Sequence, residues 1–405
     1  MMQRFNLIYS LLFISLLSTC YSQQSNTNVF TDHLKALADD SVKGRKPGSP
    51  EDTKAALYIR NAFQDYGLSL LGEEGFQYFD VVTEVQLGDN NYLMIDDKEL
   101  EINEDYTPQG FSGNAEIEAS AVFAGYGFDI HEDALVWNDY KDLDVKGKWV
   151  VILKGDPEPD SANSMFIPYS DDHDKVITAI DKGAAGIIFI SGVKVSEKDE
   201  LESVYFDKSQ SEAAIPVIQI KRETAVLLLN NRTIESLENK MITSHEPISF
   251  QIPTKIKGIT DVIPNRVTTQ NVVALIEGSD PVLKKQFIVL GAHYDHLGMG
   301  GPGSGSRFSD SLAIHNGADD NASGVAGIIE LAKQFSENKK GLKQSIVFIA
   351  FGAEELGLIG SKYFTQHPLV DIDNIHSMIN FDMIGRLDSV EKYLTIGGTG
   401  TSKEA

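Results

Sequence analysis

The sequence predicts an α/β fold in which a mostly parallel mixed sheet is flanked by helices, with a β-rich block inserted into it. In the last third, three apolar runs alternate with segments of helical spacing such as "SGVAGIIELAKQF"; the runs are "QFIVLGAHYD", "QSIVFIAFG" and "IHSMINFDMIG". Continuous apolar runs are typical of strands buried in a parallel sheet, and their alternation with helices indicates crossover connections. Between about residues 111 and 253, short strand-like pieces dominate instead.

The first 22 residues are predicted to be a signal peptide, because Arg4 precedes an apolar run, "LIYSLLFISLL", that is too short to span a membrane. Two interpretations stay open. Cleavage after Ser22 gives a secreted or periplasmic protein, whereas lipid attachment at Cys20 gives a lipoprotein whose only contact with a membrane is that anchor. Cys20 is the only cysteine, so the mature chain is expected to have no internal disulfide.

The segment from residue 29 to about residue 67 is predicted to be helical, because "HLKALADD" and "EDTKAALYIRNAFQDYGL" repeat apolar residues three and four positions apart. A turn-rich connector, "KGRKPGSP", separates these two pieces. Residues 72–106 alternate like short strands. We assign residues 29–110 and 254–405 to one discontinuous domain and residues 111–253 to a domain inserted in it.

The inserted block contains four strand-like pieces and one helical piece, "HDKVITAIDKGA". The strand-like pieces are "AEIEASAVFAGYGF", "KGKWVVILKGD", "GAAGIIFI" and "IPVIQIKRE". The formal net charge of the 405 residues is −24, which argues against a nucleic-acid partner because phosphates need a basic surface.

Each apolar run of the last third ends in residues that can bind metal ions. The segment "NGADDNASG", which precedes the helical segment "SGVAGIIELAKQF", contains such residues as well. They are His293, Asp295, His296, Asp319, Asp320, Glu354, Glu355 and Asp382. Sites in open α/β sheets form beyond the carboxyl ends of the strands, so we expect these side chains to converge. Imidazole together with carboxylates suits zinc, cobalt or manganese.

Taken singly, each of these residues has a purely structural interpretation, such as a core histidine, a helix cap, a solvated turn or a buried acid. Their combination, in order and always at an element end, favours a metal site. The adjacent pair Glu354 and Glu355 suits a division of roles, because neighbouring side chains point in different directions. One of them can bind a cation while the other takes a proton from water.

At these residues the sequence resembles the co-catalytic dizinc aminopeptidase family of the bacterial leucyl aminopeptidase and aminopeptidase Y type. The matching segments are "HLKALADDSVKGRKPGS", "VLGAHYDHLG", "NGADDNASGVAGIIELA", "AFGAEELGLIGS" and "INFDMIGR". The inserted block resembles a protease-associated domain through "AGYGF", "DVKGKWVVILKGDP" and "DKGAAGIIFISG". The resemblance implies a zinc-peptidase, phosphorylase/hydrolase-like fold. It also implies an exported enzyme that removes N-terminal residues from peptides with a metal-bound hydroxide.

The resemblance further implies two zinc ions bridged by Asp320. His293 and Asp382 would complete the first site, Glu355 would belong to the second, and Glu354 would be the general base. A cis peptide bond after Asp320 is also implied.

Asp295 would hold the imidazole of His293 in position. Members of the family supply one more ligand, a histidine well downstream of Asp382, but no histidine follows His376 here. The second site is therefore predicted to be incomplete, and we expect the sequence to be a truncated record of a longer enzyme. The alternative is a weakly metallated homologue.

Neither His296 nor His315 is assigned the missing role. Other functions on the same scaffold stay open: a carboxypeptidase, with Arg307 or Arg386 to grip a substrate carboxylate; a glutaminyl cyclase; and a non-catalytic binding protein. The inserted domain is interpreted either as a lid that restricts substrate size or as a spacer.

Overall fold

The computed structural model describes residues 27–206, 208, 212–301, 304–307, 311–387, 390, 392 and 395–398. The predicted signal peptide, with Cys20, lies outside the described residues. Within the described ranges, no helix combines the length and apolar character that crossing a membrane requires.

The helices and strands are numbered here along the chain. The helices are α1 (Thr27–Leu37), α2 (Pro50–Asp65), α3 (Asp172–Asp181), α4 (Arg222–Ala225), α5 (Ile234–Ser244), α6 (Gly324–Glu337) and α7 (Ile359–Gln366). The strands are β1 (Ser69–Leu70), β2 (Phe76–Leu87), β3 (Tyr92–Ile95), β4 (Lys98–Glu99), β5 (Tyr106–Pro108), β6 (Glu116–Ala124), β7 (Asp129–Glu132), β8 (Leu135–Asn138), β9 (Trp149–Leu153), β10 (Gly186–Ile190), β11 (Val217–Ile220), β12 (Ser249–Ile259), β13 (Val262–Ile276), β14 (Phe287–His293), β15 (Ser345–Phe351) and β16 (Ile375–Asn380).

The chain divides into two compact units, which we call the α/β unit (Met1–Phe79 with Thr268–Ala405) and the inserted unit (Asp80–Val267). These bounds differ from the predicted ones, at 111 and 253. The reason is strand pairing: β3 pairs with β12 and β5 pairs with β11, so the strands before residue 111 belong to the sheet of the inserted unit.

The α/β unit contains a six-stranded mixed sheet with the order β1-β13-β15-β14-β16, and β2 also pairs with β13. Strand β14 is parallel to both of its neighbours, β15 and β16. Strand β13 runs antiparallel to β15. The predicted mixed α/β fold is confirmed, and its three parallel strands are the three apolar runs of the sequence.

Helices cover both faces of this sheet. The wholly buried strand β15 shows this, since its alternate residues pack in two different cores. Phe348 packs in the core that contains Phe63 of α2 and Ile328 of α6. Val347 packs in the core that contains Phe364 of α7. This two-sided burial explains why β15 is continuously apolar, whereas a strand with one wet face would alternate.

Helix α2 carries a buried acid, Asp52, beneath the sheet edge at which the polar residues collect. Its Oδ2 accepts hydrogen bonds from Gly48 N (3.0 Å), Thr269 Oγ1 (2.8 Å) and Gln270 Nε2 (3.2 Å). Its Oδ1 has no hydrogen-bond partner among the described residues. Burial outweighs these hydrogen bonds and raises the pKa of Asp52 to about 6.

We expect Asp52→Asn to remove part of the pH dependence of folding. Because the folded chain holds the Asp52 proton more tightly than the unfolded chain does, this group stabilises the fold most below pH 4, and the contribution is lost as the pH rises to about 6. The loss amounts to about 3 kcal/mol. Urea unfolding at pH 4 and pH 6.5 measures it. Asp65→Asn, an exposed acid on the same helix, should keep the wild-type pH dependence.

The inserted unit contains an eight-stranded sheet, with the order β4-β3-β12-β6-β9-β10-β11-β5, and the separate hairpin β7-β8. Strands β6, β9, β10 and β11 are mutually parallel neighbours. They are the four strand-like pieces of the sequence, and α3 is the predicted helical piece, so these predictions are confirmed. The inserted unit is thus β-rich, with a sheet of its own.

Candidate metal centre

The three parallel strands bring their carboxyl ends to one edge of the sheet. His293 is the last residue of β14 and is paired with Phe351, the last residue of β15. On the other side, Gly291 is paired with Asn380, the last residue of β16. Side chains that follow these strand ends therefore start from neighbouring positions, as the sequence predicts.

The first triad consists of His293, Asp320 and Asp382, whose ligand atoms all lie within 4.8 Å of one another. His293 Nε2 lies 3.2 Å from Asp320 Oδ1 and 3.8 Å from Asp382 Oδ1. The imidazole is buried, whereas both carboxylates are partly open to solvent. One ring nitrogen and two carboxylates thus face a shared point that solvent can reach.

The second triad consists of His296, Asp320 and Glu355, whose ligand atoms also lie within 4.8 Å of one another. His296 Nδ1 lies 2.6 Å from Glu355 Oε1. Asp320 belongs to both triads, so its carboxylate is in position to bridge two ions. The sequence analysis gave His296 no role, because nothing in the sequence showed that the turn after β14 would bring it beside Glu355.

Asp295 does not belong to either triad, but it fixes parts of both. Its fully buried carboxylate accepts hydrogen bonds from Glu354 N (3.0 Å) and Glu355 N (3.1 Å). Its main-chain oxygen lies 3.2 Å from His293 Nδ1, and its carboxylate lies 3.6 Å from the same nitrogen. The main-chain oxygen of Asp295 therefore contacts the imidazole of His293, and its carboxylate fixes the backbone of the adjacent glutamates.

The neighbours of Asp320 anchor the loop that carries Asp382. Asn321 Oδ1 accepts from Met383 N (3.1 Å), and Asn321 Nδ2 donates to Phe381 O (2.9 Å). On the other side, Asp319 Oδ1 accepts from Gly385 N at 2.9 Å. The peptide bond between Asp320 and Asn321 is cis, as the resemblance implied.

Asp319 also pairs with Arg386, whose Nε lies 3.2 Å from its Oδ2. Arg386 was one of two residues considered for gripping a substrate carboxylate in a carboxypeptidase. In the structure it is an exposed side chain held by an acid of the neighbouring loop. Arg307, the other candidate, is exposed as well.

A buried arginine that sequence reasoning missed braces the loops of the site. Arg45 is fully buried and donates to the main-chain oxygens of Tyr294 (2.6 Å), Asn316 (2.7 Å) and Gly317 (2.9 Å), and also to that of Leu37. Burial lowers its pKa to about 10, so it stays cationic at neutral pH. The only signal in the sequence was its place in "KGRKPGS", which was interpreted as a connector.

The charges around His293 show that this edge of the sheet favours a cation. Burial alone would lower the pKa of His293, but the carboxylates of Asp295, Asp320 and Asp382 raise it to about 12. These carboxylates thus stabilise a proton on the imidazole of His293, and a divalent cation bound there would neutralise the same negative charges. One imidazole and two carboxylates per triad form a donor set that fits zinc.

Glu354 lies outside both triads yet next to the first. Its Oε2 is 3.8 Å from His293 Nε2, and its side chain is about one-third exposed. Burial raises the pKa of this carboxyl above its ordinary value, and His293 opposes that shift. The structure therefore separates the glutamate pair: Glu355 faces the second triad, and Glu354 stands beside the first.

Two family models match this chain. Residues 271–404 match peptidase family M28, and residues 108–228 match the PA domain. Among curated relatives, aminopeptidase YwaD of Bacillus subtilis is 25% identical over 279 residues, which are 68% of this chain and 47% of the relative. A protein of Pyrenophora tritici-repentis named "Probable zinc metalloprotease" is 38% identical over 128 residues, which are 31% of this chain and 26% of the relative.

Among solved structures, an aminopeptidase from Aneurinibacillus sp. strain AM-1 aligns with a TM-score of 0.47 and 23% identity. The alignment covers 89% of this chain and 71% of that one. The chain spans less than half the length of the two curated relatives above. Residues 271–404 of this chain are therefore similar to peptidase family M28, and residues 108–228 are similar to a PA domain.

Proposed function

We propose that this chain is a zinc-dependent aminopeptidase that hydrolyses N-terminal residues of peptides and acts outside the cytoplasm. The observation that carries the proposal is the pair of triads that share Asp320, with Glu354 beside them. The relatives named aminopeptidase and zinc metalloprotease support the same activity. Export rests on the predicted signal peptide, with cleavage after Ser22 or lipidation at Cys20 as its two forms.

His293, Asp320 and Asp382 would hold one zinc ion, and Asp320 and Glu355 would contribute to a second. When bound, such ions polarise a peptide carbonyl and acidify a neighbouring water. His293 is buried, and the Asp295 carboxylate accepts hydrogen bonds from the main-chain N–H groups of Glu354 and Glu355, which holds the ligand-bearing backbone in place.

Glu354 would take the proton from the attacking water and return it to the leaving amine. Its raised pKa suits both tasks, because a weakly acidic carboxyl accepts a proton readily near neutral pH and can still release it. Its partial exposure leaves its oxygens open to a substrate. Glu354 lies outside both triads, so it is not occupied as a ligand.

The proposal is tested by comparing aminoacyl-p-nitroanilides with their N-acetylated forms on the zinc-loaded chain. We expect cleavage of the free-amine substrates only, its loss with 1,10-phenanthroline and its return with added zinc. The isomer 1,7-phenanthroline, which does not chelate, is the control. Equal cleavage of N-acetylated substrates would contradict an aminopeptidase, and a chain that retains no metal in excess zinc would favour a binding protein.

A further inference from the structure

We propose that Asn271 is a positioning residue for the general base, and that it acts on Glu354 through the turn that carries this glutamate. The inference rests on the proposed function, because Glu354 is the base only if that function holds. We call residues 352–360, which run from the end of β15 into the start of α7, the glutamate turn. Asn271 is fully buried and belongs to β13, a strand to which the sequence analysis assigned no functional residue.

The side-chain amide of Asn271 joins the two ends of the glutamate turn. Its Oδ1 accepts a hydrogen bond from Gly352 N at 3.1 Å, and its Nδ2 donates to Gly360 O at 2.8 Å. Gly360 N also donates to Gly352 O at 3.1 Å, so a main-chain hydrogen bond closes the same two ends. Asn271 is thus bonded to the first and the last residue of the turn at once.

The groups around Asn271 allow only one orientation of its amide. Gly352 N can only donate and Gly360 O can only accept, so the amide oxygen must face the first and the amide nitrogen the second. The other N–H of Nδ2 donates to Gln77 Oε1 at 3.0 Å, and Gln77 Nε2 donates to His367 O at 2.6 Å. Removing this amide would therefore leave buried polar groups on both ends of the turn unpaired.

Close packing leaves the two ends of the turn little room to move. A Cβ atom at Gly360 would lie 2.2 Å from Gly352 O and 2.4 Å from Asn271 Oδ1. A Cβ atom at Gly352 would lie 2.5 Å from Gln270 O. Only glycine permits such close approach, so Asn271 packs directly against the main chain of the turn.

The backbone bends sharply where it leads into the glutamate pair. Ala353, immediately before Glu354, has a φ of +54°, and Leu358 has a φ of +63°. Residues other than glycine adopt this left-handed conformation at a cost, so surrounding contacts must hold them in it. Gly352, whose N–H is bonded to Asn271, directly precedes Ala353. The contact with Asn271 therefore fixes the chain two residues before the base.

Asp295 and Asn271 hold the glutamate turn at different places. The carboxylate of Asp295 accepts hydrogen bonds from the main-chain N–H groups of Glu354 and Glu355, whereas Asn271 bonds to the two ends of the turn. Together these contacts determine where the carboxyl of Glu354 lies. Displacement of a reacting group by about 1 Å can lower a rate by about 100-fold, so loss of the Asn271 contacts is expected to impair catalysis.

The test is a double-mutant cycle on the zinc-loaded 405-residue chain with an aminoacyl-p-nitroanilide. We expect Asn271→Ala to lower kcat by about 10- to 100-fold and to leave KM within about threefold of the wild-type value. In a Glu354→Gln background the same substitution should lower kcat by less than about twofold, because no base remains to be displaced. A purely structural role would lower kcat equally in both backgrounds.

Thr269→Val is the matched control for this cycle. Thr269 is also a fully buried residue of β13, and the substitution removes one buried hydrogen bond, which Thr269 donates to Asp52. It should therefore lower stability and keep kcat within about twofold of the wild-type value.

A second measurement detects the state of the turn without relying on activity. In hydrogen exchange followed by mass spectrometry, main-chain amides of residues 352–360 should exchange at least about 10-fold faster in metal-free Asn271→Ala than in the metal-free wild type. Amides of β14 should keep their wild-type rates, and Thr269→Val should leave the turn protected. If Asn271→Ala does not fold, Gln77→Leu replaces it in both experiments, because it removes the acceptor of one Asn271 N–H. Its effects should have the same direction and be smaller.

The inference requires both changes. A wild-type kcat, or a wild-type exchange rate of the turn, in Asn271→Ala would overturn it and leave the proposed function standing. Equal losses of kcat with and without Glu354 would overturn it as well, since Asn271 would then act on something other than the base. A zinc-loaded wild-type chain that cleaves no aminoacyl-p-nitroanilide would overturn the proposed function together with this inference.

Discussion

Glu354→Gln is expected to lower kcat by about 10²- to 10⁴-fold while the chain keeps its bound metal. The amide has nearly the size of the carboxyl but cannot accept a proton from water. Metal content should persist because Glu354 belongs to neither triad, and because its main-chain N–H, not its side chain, is what Asp295 holds. Steady-state kinetics on an aminoacyl-p-nitroanilide, with elemental analysis of the same sample, measures both quantities.

The neighbouring residue provides the matched control for this prediction. Glu355→Gln removes a donor of the second triad, so it should lower the affinity for the second ion as well as the rate. The two variant proteins are therefore expected to differ in metal content, although each substitution changes only one carboxyl to an amide. Wild-type turnover in Glu354→Gln would show that another group is the base, and loss of metal there would show that Glu354 is a ligand.

Asp320→Ala is expected to weaken the binding of both ions and to reduce activity to background. Asp320 is the only residue that the two triads share, so its loss leaves two donors in each. The affinity of each ion should fall by more than about 100-fold, beyond the effect of an outer partner. Equilibrium dialysis against buffered zinc, followed by elemental analysis, gives the number of ions retained.

Two other substitutions show whether this effect is specific to Asp320. Asp382→Ala should affect the ion of the first triad and spare the second. Asp319→Asn changes the adjacent residue, which contacts Gly385 and Arg386 but belongs to neither triad, so it should retain both ions. Retention of two ions by Asp320→Ala, at wild-type affinity, would show that its carboxylate does not bridge.

The sequence predicts the core of the α/β unit well, because strands that are buried on both faces appear in the sequence as continuous runs of apolar residues. Strands β14 and β15 are continuous apolar runs, and each ends where its polar residues begin. Strands β12 and β13 were not assigned, since exposed and buried residues are mixed along them without a clean period of two. The compact inserted unit begins at Asp80 and not at residue 111, because β3 and β5 pair with β12 and β11, and such pairing between distant strands is not visible in a local pattern.

The site was predictable where a residue type and a strand end coincide, as at His293 or Asp382. It was not predictable where the contact joins distant segments. Arg45 reaches Tyr294 across 249 residues, and His296 reaches Glu355 across 59. No local pattern records such contacts, so Arg45 was interpreted as part of a turn and His296 received no role. The functional roles of the site residues, the signal peptide and the lipid anchor stay predictions.

Residues 319–321 and residues 381–385 hold each other through both side chains that flank Asp320. A change at Asn321 that removes its amide leaves the amide of Met383 and the carbonyl of Phe381 without their partner, and loss of the Asp319 side-chain oxygen does the same to the amide of Gly385. The two stretches are consequently expected to evolve as a single unit. Among relatives, replacements in one should be accompanied by compensating replacements in the other, and a one-residue insertion in either should be rare.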